Sequence, residues 1–291
     1  MTEKAISPLR RRLIEDMAVR RLGPKTQYHY IRHIKRFADF VGRSADKATA
    51  EDVHQYQLWL ASIGTTVPSV NVDATALRFF FRVTLKRRDL ADAVVSVREP
   101  RRLPVVLSPE EVGRLLASTT NIKHRAALSL TYATGLRSSE VVSLKLTDID
   151  RDRMVIRVEQ GKGKKDRYVI LSPHLLELLR EWWRVARQKG WMRPGQPWLF
   201  PGYRGQHTSA RQLHRIVRLA AGRAGITKRV GVHTLRHSFA THLLEQKTDI
   251  RIIQVLLGHK KLDTTALYTR VAVSAIGEVT SPLDLLLKMP G

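Results

Sequence analysis

Four short segments of this 291-residue chain carry side chains able to handle a proton or an anion. The run Thr134-Gly135-Leu136-Arg137-Ser138-Ser139-Glu140 sets Arg137 just after a helix-ending glycine. A guanidinium there can fork onto an oxyanion, although one more surface charge is the ordinary reading. Further on, Lys162 stands between Gly161 and Gly163 at a predicted hairpin turn. A glycine-flanked lysine can reach into a groove, lysines in polar turns are commonplace, and the glycine spacing of a Walker phosphate loop is missing. The third segment, HTLRHSFATHLLEQ, puts His233 and Arg236 three residues apart on one helical face, with His237 close by. A His-x-x-x-His pair can bind zinc, but no carboxylate stands at zinc-protease spacing, so His237 reads as a structural histidine. The fourth, LLGHKKLDTTALYTRV, ends a helix at Gly258, exposes His259 in the turn and opens a helix bearing Tyr268. A tyrosine in that setting is ordinarily packing.

The elements that must hold these side chains are mostly helices. Residues 1 to about 95 read as several helices: one opens at Pro24 with Tyr30, Ile34, Phe37 and Val41 at helical spacing, and another runs from near Ala50 to Leu60. A third follows Ser69 and carries Leu77, Phe80 and Phe81. Pro100 and Pro104 then interrupt the pattern, as in an interdomain linker. Ser108-Pro109-Glu110-Glu111 is a helix start, and the next helix runs from Asn121 to a stop at Gly135. The period then changes to two. Met154, Ile156 and Val158 share one face of a strand, and Tyr168, Val169 and Ile170 form its partner across the turn QGKGKKD. From Pro173 helices return, with Leu235, Phe239 and Leu243 as one buried stripe.

Charge narrows the partner. There are 51 Lys and Arg against 26 Asp and Glu, a net +25. A surplus that repels itself in a compact state points to a polyanion, nucleic acid before an anionic membrane, with a merely basic surface as the plain alternative. The excess is +7 over residues 1–96 and +18 over residues 97–291, so both parts can touch that polyanion. Hydrophobic content of 43% is that of an ordinary globular protein. The absence of cysteine excludes disulfide scaffolds and Cys-ligated zinc. No signal peptide and no run of about 18 apolar residues is visible, so a soluble, cytoplasmic protein is expected, nucleoid-associated when bound.

Taken together, Arg137, Lys162, His233, Arg236, His259 and Tyr268 resemble the active-site series of the tyrosine recombinases, the phage integrase family. That series is Gly-Leu-Arg-x-x-Glu, a hairpin lysine, His-x-x-Arg, Leu-Gly-His, and a tyrosine nine residues later. Any one element is weak; six in order across about 130 residues are specific. Compact Xer-like and transposon- or integron-associated members are closest in plan. The resemblance implies a mainly α, two-domain DNA clamp. A helical core-binding domain (SAM-like) would span 1–96, a linker 97–106, and a catalytic domain with a small antiparallel sheet 107–280. A tail, 281–291, carries Leu283, Leu286 and Leu287 as a stripe suited to docking on a neighbouring protomer or on its own domain.

The resemblance also implies roles. Arg137 and Arg236 would grip the phosphodiester, His259 would donate to it, His233 would act as base, Lys162 as general acid and Tyr268 as nucleophile. Glu140, one helical turn past Arg137, would orient that arginine, with a solvated glutamate as the equal alternative. The product would be a 3′-phosphotyrosyl enzyme, formed without metal, ATP or other cofactor. Partners would be double-stranded DNA and three further copies, a homo-tetramer on two sites that is monomeric or weakly associated off DNA. Arg32, Lys35, Arg36, Arg98, Arg101, Arg102, Lys164 and Lys165 are the candidate DNA contacts outside the catalytic set. Competing readings are a type IB topoisomerase, a DNA-binding regulator that has lost catalysis and, least, a metal-dependent nuclease.

Overall fold

A computed structural model describes residues 7–99, 103–159, 166–193, 195–259 and 262–270. The chain divides into two compact units, Met1–Arg101 and Arg102–Gly291. The first is all helical: α1 (Pro8–Val19), α2 (Pro24–Val41), α3 (Ala50–Ser62), α4 (Val67–Phe79) and α5 (Arg88–Ala93). Helix α4 starts two residues before Ser69, because Pro68 is tolerated in a first turn where no N–H partner is needed. Its end widens into a π turn over Phe80–Thr84, which turns Phe80 and Phe81 into a core shared with Met17, Phe37 and Tyr56. That core holds one buried carboxylate. Asp73 on α4 accepts from Tyr56 Oη of α3 at 3.0 Å and from His33 Nδ1 of α2 at 2.8 Å, so three helices share one polar node. Since a carboxylate only accepts, the His33 proton sits on Nδ1.

The second unit opens with Ser108 closing a capping box on Glu111 over α6 (Pro109–Ala117). It continues through α7 (Ile122–Thr134), α8 (Ser138–Ser143), a three-stranded sheet, α9 (Pro173–Gln188), α10 (Ala210–Arg223), α11 (Val232–Glu245), α12 (Ile250–Leu257) and α13 (Asp263–Ala266). A 3-10 turn over Leu267–Arg270 follows α13. The sheet is antiparallel in the order β1 (Ile149–Asp150), β2 (Val155–Val158) and β3 (Arg167–Ile170). Ile156 pairs with Val169 and Val158 with Arg167, which buries Ile156, Val158 and Val169 on one face. Met154 precedes the strand in a turn with φ +53°; its carbonyl accepts from Leu171 N at 3.1 Å and its side chain packs on the core. The chain is mainly α with one small antiparallel sheet.

Helix α11 runs through the middle of this unit. Val232 and Leu235 face the main core with Trp182 and Leu128, while Phe239 and Ala240 form a second cluster with Leu257 and Tyr268. Its polar side chains also fasten the segment that leads into α6. Leu107 N donates to Ser238 Oγ at 3.0 Å, and Leu107 O lies 2.9 Å from His242 Nε2. His242 Nδ1 meets Tyr132 Oη at 2.8 Å. A carbonyl only accepts, so the His242 proton is on Nε2 and the Tyr132 hydroxyl is the donor to Nδ1.

Gly135 sets where Arg137 begins. It caps α7 at φ +62°, and a Cβ there would lie 2.4 Å from Phe239 Cδ1 and 2.8 Å from Leu257 Cδ2. Both the left-handed backbone and the close approach of α11 and α12 require glycine. Gly135→Ala is expected to destabilise the second unit by about 2–4 kcal/mol, combining left-handed strain with overpacking. Urea unfolding followed by tryptophan fluorescence checks this; an unchanged midpoint would contradict it.

Candidate active site

The site is built from loop ends that converge on α11. Arg137 is the N-cap residue of α8, and Glu140 lies in that helix's first turn. The Glu140 carboxylate accepts from Arg137 N and Arg137 Nη1, both at 2.9 Å. From the opposite side Arg167, at the start of β3, donates Nη1 at 3.0 Å and Nη2 at 2.8 Å to the same carboxylate. Glu140 is 8% exposed, and a buried carboxyl by itself would tend to stay protonated. Burial does push it up, but the hydrogen bonds from Arg167 and from the Arg137 backbone, with the charges of both arginines, outweigh that and hold its pKa at about 2. Arg167 Nε donates to Leu256 O at 2.9 Å, and its guanidinium lies against Gly258, the left-handed cap of α12. Any Cβ at Gly258 would stand 3.1 Å from Arg167 Cδ and Nε. One carboxylate and one arginine thus join α8, β3 and the Leu257-Gly258-His259 turn.

Arg236 is 3% exposed and satisfied almost entirely by main chain. It donates to Gly135 O at 2.6 Å and to Leu257 O at 2.8 Å, the carbonyls left free at two helix ends. Arg137 reaches the same turn, donating Nη2 to Gly258 O at 3.2 Å. Arg236 Nη2 also lies 2.9 Å from His259 Nε2. A guanidinium only donates, so Nε2 is the acceptor, and the His259 proton sits on Nδ1, 2.9 Å from Thr265 Oγ1. Burial and then the charges of Arg236 and Arg137 hold the His259 pKa near 4, so the ring is neutral. In this arrangement His259 supports Arg236 and has no proton directed elsewhere. Donation to a phosphate requires Arg236 to leave Nε2 and turn to that anion, and a proton to be placed on Nε2. Burial, followed by the charge of Arg137, lowers Arg236 itself to about 10, still charged at neutral pH.

Tyr268 comes up on the 3-10 turn after α13, 3% exposed, packed on Phe239 and Leu257. Its ring stacks over His259 at 6.4 Å. Burial raises its pKa, and the neighbouring Arg236 and Arg137 pull in the other direction. Its hydroxyl lies 3.1 Å from His237 Nδ1 and also accepts from Arg236. His237, which reads as structural in the sequence, therefore touches the candidate nucleophile, and His233 does not. The exposed His233 ring lies 6.3 Å, centre to centre, from that of His237. The partial burial of His233 and the charges of Arg236, His214 and Arg137 lower its pKa.

Arg137, Arg236, His259 and Tyr268 thus meet in one cluster, His233 stands at its edge, and Glu140 lies beneath Arg137. Lys162, Lys164, Lys165, Arg101, Arg102 and the tail 281–291 lie outside the described residues. Of the other basic candidates, Arg32 and Arg98 are exposed, Lys35 pairs with Asp39 at 2.7 Å, and Arg36 packs over Trp59 with Asp73 at 3.7 Å. Two residues of this cluster escaped sequence reasoning as site candidates. Arg167 is hidden among the lysines of GKGKKDR; its position opposite Val158, at the base of the hairpin on the buried side, is the only signal. His237 is hidden by the more familiar His-x-x-Arg pair, although it lies one helical turn from His233.

The sequence matches the Phage integrase family over residues 105–274 and the phage integrase N-terminal SAM-like domain over residues 9–89. It is 46% identical over 287 residues to a putative integrase/recombinase, y4qK, of Sinorhizobium fredii, covering 98% of this chain and 91% of that protein. It is 35% identical over 274 residues to tyrosine recombinase XerC of Pelobacter propionicus, with 89% of each covered. Among solved structures, the XerH site-specific recombinase bound to palindromic difH substrate shares the fold with a TM-score of 0.72 at 24% identity, over 97% of this chain and 86% of that one. The chain belongs to the phage integrase family, the tyrosine recombinases.

The Glu140 pair supplies a pH test. A pKa lowered from 4.5 to about 2 on folding contributes stability that is complete above pH 4.5 and is lost as pH falls towards 2. The full contribution is of the order of 3 kcal/mol. The difference in unfolding free energy between wild type and Glu140→Gln is expected to shrink as pH falls from 5 to about 2.5. Denaturant titrations across that range check it; a pH-independent difference would contradict the buried ion pair.

Proposed function

We propose that this chain is a site-specific recombinase that cleaves and rejoins duplex DNA through a 3′-phosphotyrosyl bond to Tyr268. The carrying observation is that Arg137, Arg236, His259 and the Tyr268 hydroxyl converge in one cluster that holds three guanidiniums, counting Arg167, and one carboxylate, Glu140, paired with Arg137 and Arg167. Such a cluster holds uncompensated positive charge in a partly desolvated place, which a phosphodiester neutralises. Arg137 and Arg236 bind its non-bridging oxygens and stabilise the charge that grows on them in the transition state. The Tyr268 oxygen attacks phosphorus, the bond to the 5′ oxygen breaks, and Lys162 on its hairpin protonates that leaving group. One ester replaces another, so the reverse attack by a 5′ hydroxyl rejoins DNA without ATP.

Residues 1–96 serve as the core-binding domain and 107–280 as the catalytic domain. Duplex DNA is the partner, and four copies act on two sites. The net charge of +25 supports binding along the phosphate backbone, while sequence is read by groups that reach base edges. Family membership and the XerH likeness support strand exchange over simple relaxation of supercoils.

The test begins with a binding site selected from a randomised duplex library, built into a nicked suicide substrate. Wild type is expected to form a covalent protein–DNA band that persists in excess EDTA, and Tyr268→Phe to form none while binding with nearly unchanged affinity. Arg137→Ala and Arg236→Ala are each expected to slow cleavage by about 100- to 1,000-fold or more. A covalent band from Tyr268→Phe, or a strict Mg²⁺ requirement for cleavage, would overturn the assignment.

A further inference from the structure

The hydroxyl of Tyr268 must lose its proton as it attacks, and the side chain in contact with it is His237. We propose that His237 takes that proton and returns it in the rejoining step. The inference rests on Tyr268 being the nucleophile, as argued above.

The geometry is specific. His237 Nδ1 lies 3.1 Å from the phenol oxygen, with ring centres 5.6 Å apart and planes inclined by 51°. Both partners are on well-packed elements: α11 is buried on either side of His237 by Arg236 and Ser238, and Tyr268 is held by Phe239 and Leu257. The Arg236 guanidinium also donates to the phenol oxygen. Of the other candidates, His259 is hydrogen-bonded to Arg236 and Thr265 and not to the phenol oxygen. His233 is exposed, with its ring centre 6.3 Å from that of His237.

Burial, together with the charges of His233 and Arg236, holds the His237 pKa near 4, so the ring is neutral at pH 7. The phenol is neutral as well, since burial raises its pKa. With the ring proton on Nε2, Nδ1 accepts the phenol O–H. That bond points the phenol proton at His237, while the phenol oxygen also accepts from Arg236, the guanidinium that would hold the phosphate. A base with a pKa near 4 is weak, but part of that depression comes from neighbouring positive charge. A phosphodiester seated on Arg137 and Arg236 cancels much of it, so His237 gains basicity when substrate is present. In the step itself the Oη–H bond breaks and its proton moves to Nδ1. The Oη–P bond forms, the P–O5′ bond breaks, and the 5′ oxygen takes a proton from Lys162. Rejoining reverses each transfer, and the imidazolium gives its proton back to Oη.

The test uses the full chain and the nicked suicide duplex carrying the selected site, in single-turnover cleavage. His237→Ala is expected to cleave roughly 100- to 10,000-fold more slowly with unchanged gel-shift affinity, and added imidazole to restore at least about tenfold of that loss. His237→Gln keeps a hydrogen-bonding side chain but cannot take a proton, so it is expected to stay slow and to gain nothing from imidazole. His233→Ala is expected to be insensitive to imidazole. Two results would overturn the proposal: His237→Gln cleaving within about threefold of wild type, which a positioning role alone explains, or imidazole restoring His233→Ala and not His237→Ala. Should His237→Ala fail to fold, the glutamine variant decides alone. Tyr268→Phe, run in parallel, separates the two readings. A covalent band from that variant removes the nucleophile, whereas an inert Tyr268→Phe beside a fully active His237→Ala removes only His237.

Discussion

A buried carboxylate between two guanidiniums is the constraint on which the rest of the site depends. Glu140 accepts four hydrogen bonds, two from Arg137 and two from Arg167, and so fixes the N-terminus of α8, the start of β3 and, through Arg167, the end of α12. Without it, two arginines in a space that is mostly closed to water would repel each other and turn outward. With it, Arg137 is presented with part of its donor set still directed at the Leu257-Gly258-His259 turn. Exposed ion pairs contribute little to stability; this one is sheltered, forked on one side, and shared among three elements.

The second arginine is held differently. Arg236 has no carboxylate of its own and rests on carbonyls that two helix ends leave unpaired, Gly135 at the end of α7 and Leu257 at the end of α12. Those carbonyls carry the negative ends of the helix dipoles, so they steady a cation without neutralising it. The contrast matters for chemistry. A carboxylate salt bridge to Arg236 would compete with a phosphate, whereas carbonyl dipoles orient the guanidinium and leave its charge for the substrate. His259 adds a third support and, because its proton is committed to Thr265, acts in this arrangement as an acceptor for Arg236.

Much of this was legible in the sequence, for physical reasons that can be named. Gly135 and Gly258 mark left-handed helix ends, Ser108 with Glu111 marks a capping box, and the change from helical to alternating period marks the sheet. The order of Arg137, His233, Arg236, His259 and Tyr268 could be read because each sits at or near such a mark. What could not be read depends on partners distant in sequence. Arg167 resembles its basic neighbours until burial against Glu140 distinguishes it, and His237 differs from any satisfied histidine only by facing Tyr268, 31 positions later. The π turn at Phe80–Thr84 and the positive φ of Met154 are likewise set by tertiary packing, since neither residue type favours the conformation it adopts.

The double capture of Leu107 by α11 defines a seam. Both main-chain groups of that residue are taken by side chains, Ser238 for the N–H and His242 for the carbonyl, on the helix that also carries Arg236 and His237. The chain is thus soldered to the catalytic helix at its point of entry, one residue before α6 is capped. A module spliced upstream of residue 107 would inherit a rigid anchor whatever its own fold, whereas a splice just downstream would leave Ser238 and His242 with unmet hydrogen bonds inside the protein. In engineering terms, the catalytic unit has a standard coupling at its entrance, and chimaeras with foreign DNA-binding modules are best joined on its outer side.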